Sequence, residues 1–342
     1  MKKKKRVSLK DIAKALNVSA TTISFVLNGK GKEKKISDEV IKKVEDYVKS
    51  INYKPNFVAQ SLRTGKTKII VLMMEDISNI FFANIARIIE DIAYDKDYKV
   101  LFCSHENKDD KAREFINIFS GRQVDGFIIA PPAGIKDEID QLQKNNTPVV
   151  LFDRSLEGLS SHCVMINNQK ASYEGTKHLI ENSFKNIAFI TTAVQQAQML
   201  NRLTGYTEAI DEAGLKSYVL QIPFNDVNSE KGRSMIHSFL SLNKEIDAVF
   251  FATNYLTQSG ILMIKETNPN LINELGVITF DDNDLFQIYT PTISAIAQPL
   301  ESIGQEVMRI MLMLLENNTP SIEYKNVLID AELIARESSK PK

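Results

Sequence analysis

Two pairs of side chains are of the kinds that make nucleophiles: Cys103 with His105, and His162 next to Cys163. A thiol beside an imidazole attacks a carbonyl once the imidazole takes its proton, provided a third group orients that base. Both pairs fall in strand-like apolar runs, where adjacent residues point to opposite faces and alternate residues share one, and neither pair comes with an orienting third group. The acidic stretch Asp281-Asp282-Asn283-Asp284 is similar to the start of a calcium loop, yet it lacks the glycine and the distal glutamate such a loop needs. A strand end followed by a helix cap accounts for it. The expectation is no enzyme, no catalytic residue, no metal and no cofactor. Buried thiols in a reducing compartment suit the two cysteines better than a disulfide framework.

Phosphate binding fits the charges better. Residues 1–66 hold 17 Lys and Arg against 6 Asp and Glu, while the rest hold 25 against 37, so a net charge of -1 hides a basic arm on an acidic body. Lysines bind nucleic-acid phosphates through counterion release whatever the base sequence, and an acidic body does not compete for them. Within this arm the stretch VSATTISFVLN, Val18 to Asn28, carries no charge at all. The 342 residues, 43% hydrophobic and 25% charged, suffice for two or three compact units. No run approaches the ~20 apolar residues of a membrane span. The basic start leads into SLKDIAKAL, unlike a secretory signal, so a cytoplasmic protein without membrane contact is expected.

The elements that position this chemistry begin with Ser8, followed three residues later by Asp11 in a capping-box-like start. Leu9, Ile12, Ala13 and Leu16 then share one face at helical spacing. Asn17 tolerates the left-handed conformation of a tight turn, and Ser19 can cap a second helix. A third helix is expected from about Ser37 to Ser50, with Val40, Ile41, Val44 and Val48 on its apolar side.

SLKDIAKALNVSATTISFVLNG, followed by ISDEVIKKVEDYVKSINYKPNFVAQSLRTGKT, resembles the helix-turn-helix headpiece and hinge of LacI/GalR bacterial transcription regulators. The resemblance implies a headpiece over residues 1–54, a hinge helix and linker over 55–67, and an effector-binding and dimerisation domain over 68–342. Asn17 stands where the family usually has glycine, and the lysine-rich loop Lys30 to Lys35 is long; its lysines are placed to add phosphate contacts. In a helix-turn-helix the second helix enters the major groove, where base edges and thymine methyls lie, with phosphates on the rims. By resemblance Ala20, Thr21 and Phe25 choose the operator sequence, and Ser19, Thr22, Ser24 and Asn28 meet the backbone. Ile23, Val26 and Leu27 are expected core. Phe25 has a second reading, packing inward with them, because an exposed phenyl is costly unless it meets something apolar. In the hinge, the resemblance places Asn56, Ala59 and Leu62 on DNA, Leu62 as the minor-groove wedge that bends it.

From residue 68, strand-like and helix-like runs alternate, the signature of an α/β protein with parallel sheets. IIVLMM, YKVLFCSH, DGFIIA and PVVLFD read as strands, with helices near 82–96, 109–120 and 136–145. NIAFIT, YVLQI, DAVFFA and LGVITFD make a second series, so two similar sheets are expected. This resembles the type I periplasmic sugar-binding proteins that form the family's effector domain. It implies crossings between lobes near residues 166, 297 and 320, with an N-lobe of about 68–166 and 298–320 and a C-lobe of about 167–297 and 321–342.

Small ligands bind such folds in the crevice at the carboxyl ends of the strands. By resemblance the effector residues are Phe81, Phe82, Asp153, Arg154, Arg202, Phe224, Asn254, Asp281 and Gln298. Carboxylates, amides and guanidinium groups pair with adjacent hydroxyls, and phenyl rings stack on a pyranose, which favours a sugar or sugar acid. Second readings are an interlobe ion pair for Asp153 and Arg154, core packing for Phe81 or Phe82, and a helix cap for Asp281. Tyr255 follows Asn254 where the family often has aspartate. Gln196 stands where a purine-binding relative has arginine, which disfavours a nucleobase, and without tryptophan any stacking falls to Phe or Tyr.

The expected architecture is a small all-α helix-turn-helix headpiece plus an α/β, type I periplasmic-binding-protein-like effector domain of two parallel-sheet lobes. The expected function is sequence-specific repression of a carbohydrate-utilisation operon, with a sugar effector releasing the protein from double-stranded operator DNA. LIARESSKPK carries no leucine heptad, so a homodimer is expected. A co-repressor or protein co-effector, or an architectural DNA-binding protein without ligand, are the alternatives.

Overall fold

A computed structural model describes residues 7–53, 65–316 and 324–341. The chain divides into two units, Met1–Thr67 and Lys68–Lys342. The hinge positions Asn56, Ala59 and Leu62 lie outside the described residues.

In the first unit, helices α1 (Leu9–Leu16), α2 (Ala20–Leu27) and α3 (Asp38–Ser50) share a core of Ile12, Leu16, Ile23, Val26 and Val44. Local chemistry sets their ends. The Ser8 hydroxyl accepts the Asp11 N–H while the Asp11 carboxylate accepts the Ser8 N–H at 2.8 Å, which satisfies two donors the helix start would leave open. Asn17 takes the left-handed turn with φ 55°, and Ser19 caps α2 through the Thr22 N–H at 3.0 Å. The lysine-rich loop closes on itself: Lys34 N–H donates to the Lys30 carbonyl and Ile36 N–H to that of Gly31. Gly31 is buried, and a Cβ there would lie 2.8 Å from Ile41 Cδ1. Lys30, Lys32, Lys34 and Lys35 are exposed on this turn.

In the second unit, strands β1 (Ile69–Met74), β2 (Lys99–Ser104), β3 (Gly126–Ile129), β4 (Val149–Phe152), β5 (His162–Ile166) and β11 (Asn326–Ile329) form the N-lobe sheet in the order β11-β5-β4-β3-β1-β2, every pair parallel. Strands β6 (Ile187–Thr192), β7 (Tyr218–Ile222), β8 (Ala248–Phe251), β9 (Gly276–Phe280), β10 (Ser294–Ala297) and β12 (Glu332–Ile334) form the C-lobe sheet in the order β12-β10-β9-β8-β6-β7. The two orders correspond strand for strand, except that β12 runs antiparallel to β10. Helices α4 (Ile80–Asp95), α5 (Asp109–Ser120) and α6 (Lys136–Lys144) link the N-lobe strands; α7 (Asn168–Glu181), α8 (Ala197–Glu212), α9 (Glu230–Leu242), α10 (Asn254–Thr267), α11 (Leu271–Glu274) and α12 (Asp284–Ile288) follow in the C-lobe. Helix α13 (Leu300–Glu316) returns to pack on α4 and on N-lobe strands.

The central strands are almost wholly apolar because both faces of each sheet are covered there, whereas the edge strands β2, β7, β11 and β12 are partly exposed. Along β1, Ile70, Leu72 and Met74 join one core and Val71 and Met73 another. Along β8, Ala248 and Phe250 face one way and Val249 and Phe251 the other. The third lobe crossing corrects the boundary expected near residue 320. Residues 326–329 still pair with β5, so the chain changes sheets at Asp330 and Ala331. One more N-lobe strand, β11, lies between α13 and the crossing.

Two close contacts fix the cleft walls. Helix α8 lies so near α7 that a Cβ on Gly205 would collide with the Gln169 carbonyl. Fully buried His105, after β2, accepts the Asn107 N–H on Nδ1 at 3.2 Å, so Nε2 carries the proton and donates to the Ala130 carbonyl at 2.8 Å. Burial lowers its pKa to about 4.

An alanine at position 205 ordinarily favours a helix, but the opposing atom is backbone and cannot rotate away. Gly205→Ala should therefore destabilise the protein by about 1–3 kcal/mol in urea titrations. His105 is neutral in the fold and binds a proton more readily when unfolded. Its contribution to stability is full above pH 6.5 and is lost as the pH falls towards 4, by about 3 kcal/mol in all. His105→Gln should flatten that part of the stability–pH curve.

Candidate functional site

On α2, Ile23 and Val26 turn inward, while Thr21, Phe25 and Asn28 succeed one another at spacings of four and three residues on one side. Phe25 is half-buried, does not join the headpiece core, and has the Lys34 ammonium 5.7 Å from its ring centre. Its inward reading is thus not the arrangement found. Ala20 rests partly on the core and Thr21 is exposed. Ser19 and Thr22 hydroxyls pair at 2.8 Å, and the Asn28 amide donates back to the Ser24 carbonyl at 2.7 Å, so these polar groups also finish the helix ends.

The second candidate lies between the lobes, where strand ends converge. Asp153 directly follows β4 and Asp281 directly follows β9, equivalent positions in the two sheets. Both adopt left-handed backbone, with φ 66° and 69°, and both donate their N–H across the strand end, to Val164 and Ile296. Each turn points a carboxylate into the cleft. Phe81, Phe82, Asp153, Arg154, Arg202, Phe224, Asp281 and Gln298 all line this cleft.

Arg154 is 3% exposed, and its protein partners all lie within the N-lobe. It donates to Asp153 at 2.9 Å, to Asn107 at 3.0 Å and to Glu75 at 3.0 Å, so the ion pair joins neighbours in one lobe and does not bridge the two. Burial opposes its charge, yet the Asp153 and Glu75 carboxylates outweigh burial and hold its pKa above the usual arginine value. Arg202, on α8, donates to Asn168 and to the Ala252 carbonyl, both at 2.7 Å, and lies 3.6 Å over the Phe280 ring. Burial lowers its pKa despite Asp281 and Asp153 nearby. Asp281 does not cap α12; it accepts from Gln298 and from the Asn254 backbone, and burial raises its pKa.

Phe81 and Phe82 belong to the core and line the cleft at once, packed edge to face at 4.9 Å. Asn254 stands between cleft-lining Thr253 and Tyr255, and its amide donates across the lobes to cleft-lining Asn79 at 3.2 Å. Glu75, Asn79, Asn107, Gln196, Gln198 and Tyr255 line the cleft without being expected there as ligands. Glu75 follows β1 directly and meets the rule of a polar residue after an apolar run; Asn107 is brought in by the loop after β2, which sequence spacing does not reveal. The cavity left is about 40 Å³, room for a water or two. A larger cavity of about 320 Å³, lined by His237, Lys244, Met263 and Leu271 among others, lies away from the strand ends and gathers none of these carboxylates or guanidinium groups.

The thiols stand apart from this chemistry. Burial raises Cys163 to about 12 and Cys103 to about 11, and the Cys163 thiol donates to the Arg154 carbonyl. Asp282, in the acidic stretch, is clamped by Arg336 at 2.6 and 2.7 Å.

Residues 8–56 match the family model of bacterial regulatory proteins of the lacI family, and residues 66–337 that of periplasmic binding proteins and the sugar binding domain of the LacI family. The HTH-type transcriptional regulator RegA of Clostridium saccharobutylicum is 32% identical over 335 residues, 97% of this chain and 99% of the relative. A LacI-family regulator from Silicibacter pomeroyi has the same fold, with a TM-score of 0.80 at 20% identity over 98% of this chain and 99% of its own. So has the transcriptional regulator CelR in its complex with cellobiose, with a TM-score of 0.69 at 20% identity over 97% of this chain and all of that one. A capped helix-turn-helix and a two-lobed cleft, each matched by its own family model, make this chain a member of the LacI family of bacterial transcription regulators.

Proposed function

We propose that the protein is a cytoplasmic repressor of a carbohydrate-utilisation operon, bound as a homodimer to two operator half-sites and released by a sugar. The observation that carries this reading is the cleft itself, in which carboxylates, amides, guanidinium groups and phenyl rings from both lobes meet at the strand ends. The bound cellobiose of CelR supports it. No described helix is long and apolar enough to cross a membrane.

The cavity is smaller than a sugar ring, so admission of one requires the lobes or the lining side chains to move, and the Asn79–Asn254 bridge lies in the path of that change. A ligand that prefers one lobe arrangement shifts DNA affinity by that preference and no more. In the headpiece, Thr21 and Phe25 read the bases, Phe25 by apolar contact with a thymine methyl, while the lysines supply affinity. Asn56, Ala59 and Leu62 act in the hinge, Leu62 as the wedge.

In gel shifts, the effector should weaken operator binding by about 5- to 150-fold; tighter binding would make it a co-repressor. Phe25→Ala should relax sequence choice and leave the salt slope of binding nearly unchanged. Replacing Lys30, Lys32, Lys34 and Lys35 by alanine should lower that slope by about 0.9 for each phosphate no longer neutralised, with equal effect on all sequences. Light scattering should find a dimer without DNA.

A further inference from the structure

We propose that the effector is an uncharged polyhydroxylated compound, and that Glu75 is the residue that excludes phosphorylated sugars and sugar acids. This rests on the sugar reading of the cleft and narrows it. The charged groups lining the cleft are Glu75, Asp153 and Asp281 against Arg154 and Arg202, so carboxylates outnumber guanidinium groups. An anion entering a buried site needs a cation whose charge is not already balanced, because its own lost hydration is otherwise uncompensated.

Arg154 does not offer that. Arg154 is held between two carboxylates, with Glu75 and Asp153 at 3.0 and 2.9 Å and side-chain exposures of 8% and 6%. The Asn107 amide, at 2.6 Å from Glu75, secures the carboxylate that faces the guanidinium. Arg202 has neutral partners in the Asn168 amide, the Ala252 carbonyl and the Phe280 ring, and an anion reaching it also meets the Asp281 carboxylate that lines the same cleft.

Hydrogen-bonding capacity nevertheless remains, and it is of both signs. Arg154 spends three of its five N–H groups on protein atoms and Arg202 two, so both retain donors. On the opposite side of the inventory, the Oε1 atoms of Gln196 and Gln198 are buried acceptors without a partner among the described residues. A hydroxyl donates and accepts through the same oxygen, and adjacent hydroxyls satisfy both sets without adding charge. A phosphate or carboxylate group only accepts, so it cannot itself pair with Gln196 or Gln198, and it adds a negative charge to a cleft already lined by Glu75, Asp153 and Asp281.

The test is calorimetric titration of the full-length protein with matched sets: glucose, glucuronate and glucose 6-phosphate; galactose and galacturonate; ribose and ribose 5-phosphate; and cellobiose. At least one neutral sugar should bind, with its anionic counterparts about 100-fold weaker. In Glu75→Gln, which keeps the acceptor for Arg154 and Asn107 but removes the charge, the ratio should move at least about tenfold towards the anion. Asp153→Asn supplies the same charge change should Glu75→Gln fail to fold. An anionic sugar that binds the natural protein more tightly than its neutral parent would overturn the charge assignment and leave the sugar reading standing. If no sugar in the panel binds, the sugar reading falls and this assignment with it. An unaltered ratio in both variants would remove Glu75 and Asp153 as the excluding groups.

Discussion

Covering both faces of a parallel sheet leaves one place where polar side chains can gather, the carboxyl ends of the strands. In this protein every strand-end residue that carries charge owes its position to that constraint. The apolar runs of β1, β4 and β9 bury residues on both faces of their sheets, and the first side chain beyond each run, Glu75, Asp153 or Asp281, lines the cleft between the lobes. Glu75 and Arg154 meet for this reason, although 79 positions separate them in the chain. Left-handed backbone at Asp153 and Asp281 turns the chain sharply enough to keep both carboxylates in the cleft.

Burial makes these charges demanding. A buried guanidinium with one missing partner would cost several kcal/mol, so each arginine is surrounded before any ligand arrives. Arg154 is satisfied largely by carboxylates and Arg202 largely by an amide, a carbonyl and a ring. The donors left over are directional and weakly biased in charge, which suits recognition by hydrogen-bond pattern. His105 contributes from outside the cleft, because its neutral ring holds the loop that presents Asn107.

Much of this is legible in the amino acids. Ser8 with Asp11, Asn17 and Ser19 announce the headpiece helices through local capping chemistry, and the strand runs announce the sheets because two-sided burial requires apolar residues. Asp153, Arg154, Arg202 and Asp281 follow from family resemblance together with the strand-end rule. What escapes depends on distance in the chain. The pairing of β11 with β5 brings residue 326 beside residue 163, and no local pattern encodes it. Asn254 meets the strand-end rule after β8, but its interlobe hydrogen bond to Asn79, 175 residues away, has no local signal. Glu75 meets the strand-end rule as well, but only its contact with Arg154 reveals that it matters.

The corresponding strand orders of the two sheets make Asp153 and Asp281 counterparts, and both line the cleft. Their surroundings have diverged: one is balanced by the next residue in the chain, the other by an amide arriving from the far side of a strand. The walls of the cleft therefore share a backbone plan and differ in polarity. A guest that spans them meets a head end and a tail end, so even a nearly symmetrical molecule has one preferred direction of entry, and handedness in the ligand can be sensed without a single residue devoted to it.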